Sequence, residues 1–242
     1  MRCVAARNFL RHKLVNLLTC QRVNMHHYPL PTMFAAIEKA ISPFPKAAMF
    51  ALCDQGFDTL FEQLVACILS IRTRDETSLP LALKLFKQAR TPEEMLAFTF
   101  EELADFLDGA TFPGQKAAAI LTLAQAAADH GGQLPKDEES LLALKGLGPK
   151  CVHLAMGIAL GTPAISVDVH VHRVVNRWGL VQITSPEETM RALEKIVPEK
   201  DWIDVNRLLM PFGKNICVGV KPFCSRCPVY DWCERVGVTE SR

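Results

Sequence analysis

The chain has 242 residues and a formal net charge of +1, with 49% apolar but only 7% aromatic side chains. That length admits one large domain or two modest lobes, each with its own core. Near-neutrality excludes steering of a polyanion by the whole molecule, and no charge-free apolar run reaches the roughly 18 residues that a membrane span needs.

Residues 1–37 hold Arg2, Arg7, Arg11, Lys13 and Arg22 and no acid before Glu38. This fits an organelle transit peptide, and it also fits an upstream extension ahead of a start at Met25 or Met33. Residues 1–32 are therefore set aside as an N-terminal extension. From Thr59 to Ser70, apolar residues Leu60, Phe61, Leu64, Val65, Ile68 and Leu69 recur at helical spacing, and Leu79 to Phe86 repeats the pattern. Thr91-Pro92-Glu93-Glu94 joins a cap, a first-turn proline and acids that face the helix dipole. A short helix over Phe100–Leu107 ends at Asp108-Gly109, and Thr111-Phe112-Pro113-Gly114 reads as a turn. An alanine-rich helix from Gln115 to His130 stops at Gly131-Gly132. Helices follow over Asp137–Leu144, Pro149–Leu160, Val167–Trp178, after Ser185-Pro186, and over Trp202–Phe212. Without alternating strands or internal repeats, the chain is an all-α protein of about ten short helices.

There are nine cysteines. Cys67 and Cys151 lie in apolar helical patterns and read as separate buried thiols. The odd count and the lack of a clear secretory leader argue against a disulfide framework. Cys217, Cys224, Cys227 and Cys233 differ: their C-x6-C-x2-C-x5-C spacing puts four thiols within seventeen residues, in a loop stiffened by Pro222 and Pro228. A soft donor set of this kind suits iron–sulfur or zinc. Zinc ribbons usually use two separated C-x2-C pairs, whereas one such pair is present here. Lys221 and Arg226 lie inside the loop, either as solvated charges or as cations presented to a phosphate backbone.

Leu144-Lys145-Gly146-Leu147-Gly148-Pro149-Lys150 sits between helices. Its glycines allow a tight hairpin and close approach of a large ligand, and the free N–H groups of the helix begun by Pro149 suit a phosphate oxygen. Most such turns only connect, and this one is not a nucleotide-binding P-loop. Further on, Gly161 and Pro163 precede Val167-Asp168-Val169-His170.

The hairpin ending in Gly148-Pro149-Lys150, the Val-Asp-x-His sequence and the four cysteines, in this order, resemble the endonuclease III family of helix-hairpin-helix DNA glycosylases. The resemblance runs from about Phe57 to Val236. It implies a bundle of six helices over 51–161, with the hairpin, and a second lobe that joins 33–50 to 162–242 and carries a [4Fe–4S] cluster on Cys217, Cys224, Cys227 and Cys233. It implies Lys150 as the amine that attacks the sugar and forms a Schiff base, and Asp168 as the carboxylate that stabilises the charge developing there. Such an amine must lose its proton, which low-dielectric surroundings favour. His170 matches a family histidine and reads as a scaffold for the aspartate loop; His172 has no match. Gly146, Leu147 and Gly148 would hold DNA backbone.

A base inside a duplex must be flipped out. Arg72 occupies the position where the family commonly has a glutamine plug, and Phe112 is the natural apolar wedge of a second loop, Thr111 to Lys116, which lacks the family's tyrosine and has Lys116 where the family has a lysine soon after the loop. Both departures bear on substrate range. The expected partner is double-stranded DNA containing damaged bases or abasic sites, acted on by a monomer with no membrane association. The expected place is the cytoplasm, on the nucleoid, or an organelle or nucleus if the extension is a transit peptide. The expected reaction is excision of oxidised pyrimidines followed by strand cleavage. Rival readings are a monofunctional or mismatch-directed glycosylase, which generally lacks the lysine, and a non-enzymatic cluster-bearing DNA-binding module, which needs neither lysine nor aspartate.

Overall fold

The computed structural model describes residues 28–242, so most of the N-terminal extension lies outside it. Its helices are α1 (Leu30–Ile41), α2 (Ala48–Cys53), α3 (Leu60–Ser70), α4 (Asp75–Phe86), α5 (Pro92–Met95) and α6 (Phe100–Phe106). They continue with α7 (Pro113–Ala128), α8 (Glu138–Leu142), α9 (Pro149–Leu160), α10 (Val169–Trp178), α11 (Pro186–Leu193) and α12 (Trp202–Asn215). No strand occurs among the described residues.

Local chemistry sets many of these boundaries. Thr59, Thr91 and Thr99 each form a reciprocal capping box with the glutamate three residues on, opening α3, α5 and α6. Pro113 and Gly114, expected in a turn, are the first residues of α7, because proline's fixed φ and missing N–H are tolerated at a first helical position. Gly161 and Gly179 end α9 and α10 in the left-handed conformation that glycine adopts freely.

Two cores form. The first runs from Met49 to Met156 and is built around α3, whose residues from Leu60 to Leu69 are all buried. Burial extends to Glu62, whose carboxylate takes the Arg90 Nε at 2.6 Å and closes the Thr59 cap. Six helices of at least six residues (α2, α3, α4, α6, α7 and α9) are joined there by the shorter α5 and α8. The second core packs α1 against α10, α11 and α12 and reaches Val229 under the cysteine loop. Leu30, within the stretch set aside as extension, is buried in this core, and Met49 belongs to the first core although it was expected in the second lobe. From Tyr28 onward the chain thus starts in one lobe, builds the other, and returns.

One expectation is corrected outright. Cys67 on α3 and Cys151 on α9 are not separate thiols; they form a disulfide, with Cα atoms 5.6 Å apart. Their 84-residue separation gives no hint of pairing in the sequence. The packing of α9 along α3 creates it.

Candidate active site

The loop leaving α9 and the start of α10 bring Asp168 to the edge of a cleft between the cores. Asp168 caps α10, its Oδ1 accepting from the His170 and Val171 amides at 2.9 Å each. No hydrogen bond within the described residues reaches Oδ2. A cap is the bland role for such an aspartate, and here the cap also aims a free carboxylate oxygen. Lys150, in the first turn of α9, lines the same cleft of about 850 Å³, together with Arg72, Arg74, Asp168 and His170. The Lys150 side chain is exposed. A dry environment for its amine therefore has to come from a bound ligand.

Two buried contacts tie these elements together. The Ser166 hydroxyl donates to the Lys150 carbonyl at 3.2 Å. His153, on α9, has Nδ1 3.2 Å from the Ile165 carbonyl and Nε2 2.8 Å from Glu138. The strand-like segment before Asp168 is thereby fastened to the helix that carries Lys150. His170 is scaffold-like in its contacts: its Nδ1 lies 3.2 Å from the Arg173 guanidinium, and its backbone presses on Gly213, where an added Cβ would come within 2.9 Å of the His170 Cβ. Burial above all lowers its pKa below the usual histidine value, with Asp168 opposing. Across the cleft, Lys214 of α12 pairs with Glu76 at 2.8 Å and Asp75 at 3.6 Å at the start of α4, joining the two lobes. Sequence reasoning missed this pair, since nothing local connects residues so far apart.

The hairpin splits its glycines by purpose. Gly146 has φ +97°, and an added Cβ would meet that of Ala119 at 2.7 Å, so both conformation and space demand glycine. Gly148 has an ordinary φ and open space, consistent with a surface left clear for a ligand. Leu147 is half-buried between them. Arg72 lines the cleft and comes together with Phe112, its guanidinium carbon 5.9 Å from the ring centroid. Lys221 and Arg226 lie outside the cleft: Lys221 pairs with Glu240 at 2.6 Å, and Arg226 stacks 3.9 Å from the Phe223 ring.

Cys217, Cys224, Cys227 and Cys233 all line one small hollow. Among the described residues, no three His, Cys, Asp or Glu side chains are close enough to share a single ion. Burial pushes the Cys227 thiol up to about 12 and the Cys233 thiol upward, and neighbouring cysteines add to both rises. Four thiolates could coexist here only with a compensating cationic centre. Arg177 Nη1 approaches Cys217 Sγ at 3.5 Å, while its guanidinium binds the Val218 and Gly219 carbonyls at 2.5 and 2.6 Å.

Comparison with known proteins agrees with this geometry. Residues 65–199 match the family described as HhH-GPD superfamily base excision DNA repair protein. The chain is 37% identical to endonuclease III of Thermotoga maritima over 175 residues, covering 72% of this chain and 82% of the relative. It is 32% identical to endonuclease III of Bacillus subtilis over 199 residues, covering 81% and 89%. A trapped endonuclease III–DNA covalent intermediate superposes with a TM-score of 0.69 at 32% identity, covering 73% of this chain and 84% of that one.

Proposed function

Since the chain belongs to the HhH-GPD superfamily, and within it to the endonuclease III family, we propose that its cleft extrudes an oxidised pyrimidine from duplex DNA and cuts the strand there. The protein is a base-excision-repair DNA glycosylase/AP lyase. The observation that carries the finer reading is the presence of Lys150 and Asp168 in one open cleft.

In this mechanism the deprotonated Lys150 amine attacks C1′ of the flipped nucleoside as the C1′–N bond to the base breaks. The Asp168 carboxylate oxygen not used in capping faces the positive charge that builds on the sugar. Ring opening leaves a Schiff base between Nζ and C1′. The imine acidifies the C2′ proton, whose removal expels the 3′ phosphate by β-elimination, and water then releases the lysine. Backbone N–H groups around Gly148 at the start of α9 suit a phosphate near the lesion, with Gly146 and Leu147 shaping that approach. Lys221 and Arg226 are assigned to more distant backbone contacts; both are already engaged within the protein, so their contribution is small.

We assign Cys217, Cys224, Cys227 and Cys233 to a [4Fe–4S] cluster, because the thiols surround a common hollow yet do not converge on one ion. When bound, such a cluster supplies four iron–thiolate bonds that cross-link the loop.

Borohydride reduction on abasic-site duplex tests the reaction. The wild type should give a covalent protein–DNA adduct, and Lys150→Ala should give none, with DNA affinity kept. A wild type that binds the DNA and yields no adduct refutes the lyase assignment. A panel of lesions, scored separately for excision and nicking, tests the preference for oxidised pyrimidines.

A further inference from the structure

Arg72 and Phe112 come from different helix junctions, yet they share an uncommon feature. Their φ angles are +54° and +55°, in the left-handed region that non-glycine residues rarely adopt. That conformation is strained for a residue with a side chain and persists only where neighbours impose it. Phe112 is also 51% exposed, so its ring gains little from the fold.

The neighbours that impose it are visible. The Thr73 and Thr111 hydroxyls lie 2.6 Å apart, the Thr111 amide donates to Thr73 Oγ1 at 3.3 Å, and the Thr111 hydroxyl reaches the Arg72 carbonyl at 2.8 Å. Beneath them lies Lys116, whose residue is only 5% exposed. Its Nζ donates to the carbonyls of Ile68, Leu69 and Ile71 at 2.8, 2.8 and 2.7 Å. All three ammonium protons are thus placed on carbonyls in and just after the last turn of α3, where the helical ladder runs out of donors and Ile68 alone among the three also accepts from a backbone amide, that of Ile71. Lys116 belongs to the first turn of α7, directly after Phe112. The helix that begins at the Phe112 junction is therefore fastened to the helix end that leads into Arg72.

We propose that Lys116 and the Thr73–Thr111 pair are positioning residues that make Arg72 and Phe112 a single preformed wedge, which enters DNA as one body. Two independent loops would each have to order on binding and lose backbone conformational freedom in doing so. Here that ordering is completed on folding. The inference rests on the reading that this cleft extrudes a nucleoside, and it adds the device that does so.

Two reactions separate extrusion from chemistry. Excision of a damaged base from duplex DNA needs the wedge; cleavage at an abasic site in single-stranded DNA needs Lys150 but no extrusion from a helix. Lys116→Met keeps the apolar stem and removes the ammonium, and the milder Thr111→Val removes only the brace. Both should lower single-turnover excision on the order of 10- to 100-fold, while single-strand cleavage stays within about threefold of wild type. Thr111→Ser, which keeps the hydroxyl, should restore excision. A 2-aminopurine beside the lesion should brighten on binding wild type and much less on binding Thr111→Val. Effects of Arg72→Ala and Phe112→Ala should be strongly non-additive in the wild type and additive in the Thr111→Val background. Unchanged excision in Thr111→Val, equal loss in both reactions, or additivity in the wild type would overturn the single wedge. A wild type that cleaves neither single-stranded nor duplex abasic DNA would overturn the lyase function beneath it, a separable result.

Discussion

The two lobes solve the problem of stability differently. The first buries a continuous apolar core around α3, adds capping boxes at three helix starts, and carries a disulfide between α3 and α9. The second buries α1 against α10 and α12, but its outer end is a loop with four cysteines and little regular structure. There Arg173 and Arg177 hold the chain through the carbonyls of Cys217, Val218 and Gly219. A bundle of this kind needs nothing beyond its own side chains, whereas a loop of thiols and borrowed hydrogen bonds needs a centre to organise it. The proposed catalytic pair is divided between the two, with Lys150 on the self-sufficient lobe and Asp168 at the entrance to the dependent one.

The strongest way to break this contrast is to remove a cluster ligand. Cys227→Ala should abolish the visible iron–sulfur absorbance and open residues after Asn215 to proteolysis. The segment from α2 to α9 should stay resistant, and adduct formation should fall with DNA affinity. Proteolysis spreading equally through both lobes would mean that they fold as one unit. A smaller effect is expected from reduction of Cys67–Cys151. Alkylation of the denatured, unreduced protein should spare these two residues, and reducing the bond should cost the first lobe about 4–5 kcal/mol by the chain-entropy account for a loop of this length. Full alkylation of both without reductant would return them to the pair of buried thiols that the sequence suggested.

The smallest effect concerns Lys116. Burial draws its pKa down to about 8, against 10.5 for a free lysine. Between those values the unfolded chain holds a proton that the folded protein has released, so this residue's contribution to stability rises with pH through the window. Its three carbonyl bonds favour the ammonium and limit the gain to about 1–2 kcal/mol. The slope in denaturant melts from pH 8 to 10 should disappear in Lys116→Met. A slope that survives the substitution would place the titration elsewhere.

Much of the helical framework was legible because its signals are local. The Thr91 cap with its first-turn proline and acids, the alanine-rich run of α7 and the glycine stops need only a few neighbouring residues to act. The wedge was legible only in part. Arg72 and Phe112 could be picked out as candidates, yet their shared backbone strain and the Lys116 anchor depend on α7 meeting the end of α3. Lys116 could be matched to the lysine that follows the family's second wedge loop, but its burial and its three carbonyl bonds exist only because α7 meets the end of α3.

By itself, the amino-acid sequence determined an all-α chain and placed four cysteines within reach of one centre, and its resemblance to the endonuclease III family singled out a lysine and an aspartate. The helices and the cysteine loop follow from periodicity, capping and short-range spacing, which act along the chain. Only the tertiary structure decided that Cys67 meets Cys151, that Lys214 reaches across to Glu76, and that two distant turns lock into one projection. Each depends on how helices pack across long separations, and packing is settled by the shape of the buried surface as a whole.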